Sequence, residues 1–279
     1  MSMRESRAWT QEILAGLNSS QRQAVLHERG PLLVLAGAGS GKTRVLTRRM
    51  AYLIHEHGIS PWRILAITFT NKAAREMRAR VAQLEGAEPP GLWVSTFHAA
   101  CARILRQYAE RIGFSSTFTI IDGDDQRSLV RSVLRSLDLA EKRWPVGTVL
   151  GRISQAKNET MTPQQYAEAA DDVYNRQVAV IYRLYQERLE HDGAMDFDDL
   201  LMRTVLLLEQ DEQVRAEVQG RFDHLLVDEY QDTNDVQYRL IKLLVSSHHN
   251  LMAVGDPDQS IYGWRGANIE NILRFQQDF

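Results

Sequence analysis

A short apolar run that breaks into glycines and reopens as a helix leaves a chain few ways to fold. Residues 31–35 followed by AGAGSGKT at 36–43 make such a run. The apolar stretch fits one buried strand, and residues 44–54 carry apolar side chains at helical spacing, so the glycines fall between strand and helix. Gly37, Gly39 and Gly41 open backbone conformations closed to other residues. The loop amides of 36–41, with Ala36, Ala38 and Ser40 filling the remaining positions, can then point inward at an oxyanion beside the positive end of the helix. Lys42 offers a point charge to outer phosphates, and Thr43 a hydroxyl to magnesium. Ala36 stands where this pattern is more often written with Gly.

Almost two hundred residues later, LLVDEYQD at 225–232 supplies the acidic half of the same chemistry. Leu225, Leu226 and Val227 read as a strand whose carboxyl end delivers Asp228 and Glu229, and ligands of open parallel sheets sit at that edge. Asp228 is expected to hold magnesium, directly or through water. Glu229 is expected to orient or deprotonate the attacking water. Together the two segments point to a nucleotide hydrolase with Mg2+ as a ligand, and leave kinases, transport ATPases, GTPases and helicases open.

Five strand-like runs, near 32–36, 63–69, 92–96, 224–228 and 250–254, alternate with helical or polar stretches. The alternation predicts an α/β fold with a parallel sheet covered by helices. About 125 residues separate the third and fourth runs, too many for a simple crossover, and nearly all of their periodicity is helical. That stretch is expected to be an inserted helical subdomain. Leu129, Val130, Val133, Leu134 and Leu137 form one stripe, and Val178, Ile181, Tyr182, Tyr185 and Leu189 another that stops at Gly193. Thr162, Pro163 and Gln165 read as N-cap, first-turn proline and capping-box partner. Residues 118–121 are the one short strand candidate inside the insert.

At 279 residues and 44% hydrophobic content, the chain can bury one large core or two modest ones. A formal net charge of −3 gives no global basic field, so nucleic-acid contact has to come from a local patch. The lone Cys101 excludes a disulfide framework and a four-cysteine metal centre, suits a reducing compartment, and reads as a small buried side chain. No leader, lipidation signature or membrane-length apolar run is visible, so the expected location is cytoplasmic, with no membrane partner.

Five further segments surround the two phosphate segments in order: LNSSQRQAV at 17–25, AITFTNKAAREM at 66–77, STFHA at 95–99, DFDDL at 196–200 and VGDPDQSIYGWRGA at 254–267. With them the whole chain resembles the N-terminal half of superfamily 1A DNA helicases of the UvrD, PcrA and Rep group. The resemblance implies a RecA-like P-loop NTPase domain, 1A, from residues 1–95 and 219–279. An all-helical domain, 1B, would interrupt it at 96–218. It also implies an ATP-dependent 3′ to 5′ helicase and translocase acting in DNA repair on single-stranded DNA and single-strand/duplex junctions, with unspecified protein partners.

The same resemblance implies individual roles. Gln21 would recognise adenine, with Arg44 near the nucleotide, on phosphate or base, and Gln259 would sense the terminal phosphate beside a structural Asp256. Phe69, Tyr262 and Trp264 would stack on or wedge bases. Thr70, Asn71 and His98 would serve backbone and sugar, and Arg265 would reach DNA or couple it to the nucleotide loop. The three aspartates of DFDDL, which lack a histidine, read as a helix start on the DNA side of the family's motifs rather than as a metal cluster. The chain stops at Phe279, before the motifs of a second RecA-like domain (2A/2B). The expectation is therefore half of a motor, which binds ATP weakly and does not unwind alone. The alternatives are a module that binds ATP or single-stranded DNA without turnover, and an unrelated P-loop kinase. AITFTNKAAREM and QSIYGWRGA disfavour the kinase.

Overall fold

The computed structural model of the chain describes residues 3–256, 258 and 270–279. Seven strands occur among them: β1 (Leu32–Leu35), β2 (Ile64–Thr68), β3 (Trp93–Thr96), β4 (Thr119–Ile120), β5 (Ala194–Met195), β6 (His224–Val227) and β7 (Leu251–Gly255). Five of them form one sheet in the order β1-β7-β6-β2-β3, with every pairing parallel. Each of the five falls on one of the apolar runs that predict strands, with β7 extending one residue further to Gly255. Every residue of β2 and β7 is buried, which requires cover on both sheet faces and explains why these strands read as continuous apolar runs.

The chain divides into two compact units, residues 1–100 with 213–279, and residues 101–212. The first contains the sheet and a core that joins Val45, Leu46 and Met50 of the helix Lys42–His55 to Ile64, Ala66, Leu226 and Val254 of the strands. The second is built on the two apolar stripes. Val130, Val133 and Leu134 pack with Val178, Ile181, Tyr182, Tyr185 and Leu189, on the helices Gly123–Ser136 and Val173–His191. The Thr162 hydroxyl accepts from the Gln165 amide and the Gln165 side chain accepts from the Thr162 amide, so the helix Pro163–Ala169 starts where its capping box starts.

The second unit is not wholly helical. Within the 118–121 run, β4 pairs in parallel with β5. Two residues cannot display a strand's alternation, so β5 carries no periodic signal and exists only through its partner.

All five carboxyl ends of the main sheet open on one edge. In spatial order they lead into Ala36, Asp256, Asp228, Phe69 and Phe97. At about 4.8 Å per strand, the β1 and β3 ends lie roughly 20 Å apart.

Candidate active site

The loop after β1 is tied to its neighbour by the Ala36 amide, which donates to the Gly255 carbonyl at 3.0 Å. Gly39 and Gly41 adopt left-handed φ values of 71° and 85°, as expected of glycines in this loop. Gly37 departs from that expectation: it lies outside the left-handed region, and a Cβ there would meet nothing within 4 Å. At Gly41 both reasons for glycine coincide, because a Cβ would also come within 3.1 Å of the Gln21 amide nitrogen. The helix Lys42–His55 has no side-chain cap at Gly41, so its first amides stay directed at the loop. Among the described residues the Ser40 hydroxyl is buried there without a protein partner. These groups suit an anion at the positive end of a helix.

Lys42 lies across this loop. Its ammonium donates to the Ala36 carbonyl at 2.8 Å and the Gly37 carbonyl at 3.3 Å, and sits 3.4 Å from an Asp256 carboxylate oxygen that is itself buried. Thr43 and Asp228, 185 positions apart in sequence, meet where the Thr43 hydroxyl donates to Asp228 Oδ2 at 3.3 Å. Burial, with Glu229 next to it, pushes the Asp228 carboxyl up to about 6. A hydroxyl and a desolvated carboxylate are hard oxygen donors of the kind Mg2+ takes alongside phosphate oxygens, so this pair fits the ion. Among the described residues no group of three His, Cys, Asp or Glu could hold a metal without such help.

Glu229 follows in the left-handed region, φ 52° and ψ 43°, a conformation that costs a non-glycine residue on the order of 1 kcal/mol. Its carboxylate accepts from the Gln231 side-chain amide at 2.9 Å. Gln231 is buried, and sequence reasoning passed over it.

Gln21 is the third residue of the helix Ser19–Leu26 and has two roles. Its Oε1 accepts from the Asn18 amide in a capping box, while its Nε2 donates to the Ser40 carbonyl at 2.7 Å. One donor hydrogen and one lone pair of that side-chain amide remain beyond these two bonds. The Arg44 guanidinium donates to the Ala15 carbonyl at 3.2 Å, in the turn that leads into the same helix.

Across the sheet edge, Phe69 is half-buried and meets the buried Phe97 edge-on, with ring centroids 5.5 Å apart. Thr70 is exposed, but its hydroxyl caps the helix Asn71–Glu85 by accepting from the Ala73 amide, a local task in addition to any ligand contact. Asn71 is exposed at the first position of that helix, and His98 is half-buried in the first turn of Phe97–Gln107. Gln259, Tyr262, Trp264 and Arg265 lie outside the described residues.

DFDDL starts a helix, Phe197–Gln210, with Asp196 as N-cap. Asp196 and Asp199 flank the fully buried Lys157 at 2.7 and 3.0 Å, and Tyr185 donates to Asp196 at 2.8 Å. Two of the three aspartates are thus committed to an internal cation. Burial disfavours the Lys157 ammonium, but Asp199 and Asp196 outweigh it and leave the group raised above the ordinary lysine range. Cys101 is fully buried, and burial pushes its thiol up to about 12.

Comparison with known proteins identifies the family. Residues 17–279 match the model of the UvrD/REP helicase N-terminal domain. The chain is 51% identical over 267 residues to an ATP-dependent DNA helicase PcrA of Staphylococcus epidermidis, covering 96% of this chain and 37% of that protein. It is 52% identical over 265 residues to the PcrA of Leuconostoc citreum, covering 95% and 35%. The chain therefore spans little more than a third of the length of these curated relatives. On this match over residues 17–279, the chain belongs to the UvrD/REP helicase N-terminal domain family.

Proposed function

We propose that this chain is the nucleotide-binding part of an ATP-dependent DNA helicase that moves 3′ to 5′ along single strands and opens tailed duplexes in DNA repair. The observation that carries the reading is the meeting of Thr43 and Asp228 beside the uncapped helix that follows the glycine loop. The first unit is read as domain 1A and the second as 1B. The relatives are named as ATP-dependent DNA helicases, which supports the same class.

In this reading the loop amides of 36–41 and Lys42 hold the β- and γ-phosphates, and Gln21, with Arg44 beside it, takes the adenine edge. Thr43 and Asp228 would hold Mg2+, which supplies charge neutralisation at the phosphate oxygens. Glu229 accepts the proton of the attacking water, and Gln259 reports the γ-phosphate. Phe69, Tyr262 and Trp264 stack on bases, which makes binding tolerant of sequence. Thr70, Asn71, His98 and Arg265 contact backbone and sugar.

Lys42→Ala should weaken nucleotide binding and abolish turnover. Glu229→Gln should keep binding while lowering oligo-dT-stimulated ATPase of the full-length gene product about a hundredfold or more. Unwinding of duplexes with a 3′ or a 5′ tail reads the polarity. Equal ATPase in Glu229→Gln and wild type, or DNA binding with no turnover in wild type, would reject this reading. A polypeptide of residues 1–279 alone should bind ATP weakly and fail to unwind, because an arginine supplied from a facing domain contributes on the order of 10³ to 10⁵ in rate in comparable systems.

A further inference from the structure

We propose that Gln231 is the positioning residue of the hydrolytic centre: its side-chain amide, locked by the backbone at the end of β7, aims Glu229 and carries any displacement of Gly255 and Asp256 to it. The inference rests on the reading of Glu229 as the base.

The orientation of the amide follows from chemistry. The Asp256 backbone N–H donates to Gln231 Oε1 at 2.9 Å, and an N–H can bond only to the oxygen end of an amide. The NH2 end therefore faces the other way, where Nε2 donates to Glu229 Oε2 at 2.9 Å. Gln231 is 1% exposed, so neither bond competes with bulk water. Glu229 also sits on a left-handed backbone next to the Asp228 carboxylate, and its own amide donates to Asp228 Oδ1 at 3.1 Å. A carboxylate in that position needs a donor to hold it, and Gln231 supplies one.

Gly255 carries an independent trace of the same arrangement. A Cβ at this position would stand 2.8 Å from Gln231 Oε1 and 3.3 Å from the Gln231 backbone nitrogen. The strand end is thus a glycine because the amide lies against it. Displacing Gly255 and Asp256, the first two residues of GDPDQ, shifts the acceptor's anchor and with it the donor on Glu229. A buried amide would in this way join the loop after β7 to the base after β6 without an ion or a ligand between them.

The test is a double-mutant cycle in the full-length gene product, read by single-turnover ATP hydrolysis with oligo-dT. Gln231→Glu keeps the shape and the bond from Asp256 but replaces the donor with a repelling carboxylate. It should lower the hydrolysis rate about 10- to 100-fold while the KM for ATP stays within about threefold. In a Glu229→Gln background the same change should add nothing. Gly255→Ala should reproduce the loss in rate by displacing the amide from the other strand. An additive cycle, or an unchanged rate in Gln231→Glu while Glu229→Gln is inactive, would overturn the inference and leave the proposed function standing. Full activity in Glu229→Gln would remove both.

Discussion

Asp228 shows what the site costs the protein that contains it. With its carboxyl raised to about 6 by burial and by Glu229, the native state binds a proton that the unfolded chain has already released between about pH 4 and pH 6. Without magnesium, this group therefore lowers stability as pH rises through that window, and the deficit persists above it. Asp228→Asn should raise stability at pH 7.5 by roughly 1 to 3 kcal/mol, flatten that part of the pH profile, and end hydrolysis. Thermal melts in chelator between pH 4.5 and 7.5, compared with wild type, measure the difference; a variant less stable than wild type at pH 7.5 contradicts the assignment. Asp228 was legible in the sequence because an apolar run immediately precedes it. Gln231 was not, because an amide's importance depends on which backbone N–H and which carboxylate lie on either side, and here one partner is two residues away and the other twenty-five.

Elements were legible where their signals are local. The helix at Pro163–Ala169 declares itself through a threonine and a glutamine three apart, and the five main strands through short apolar runs. The start at DFDDL was equally visible, but not the reason it is buried. Lys157 lies 39 positions before Asp196 on another helix, Val146–Asn158, and an isolated lysine in a helix reads as solvated surface. Its removal tests what joins these helices. Lys157→Met should cost about 3 to 5 kcal/mol in urea denaturation, because it leaves two carboxylates buried without their cation. Changing Asp196 and Asp199 to Asn together with Lys157→Met should recover part of that loss. If the single variant unfolds at the wild-type urea concentration, the cluster is not a keystone of this unit.

At the scale of the whole molecule, the alternation of runs revealed the class of fold, and the long helical interval revealed that the sheet is interrupted. Strand order was beyond reach, since apolar periodicity says nothing of which strand sits beside which. That order has a consequence for how the protein is made. Among the described residues the sole sheet partner of β1 is β7, with Leu32 opposite Met252. A chain truncated after residue 245 should therefore fail to bind a fluorescent ADP analogue although every residue of 36–43 is intact, whereas one ending at Phe279 should bind it. On the ribosome the phosphate loop emerges long before the strand that gives it its shape. At 5 to 20 residues per second, roughly 10 to 40 seconds pass between synthesis of Leu32 and of Met252. For that interval a bare apolar strand waits for its neighbour, and the nascent chain is most open to wrong partners before it can bind any nucleotide.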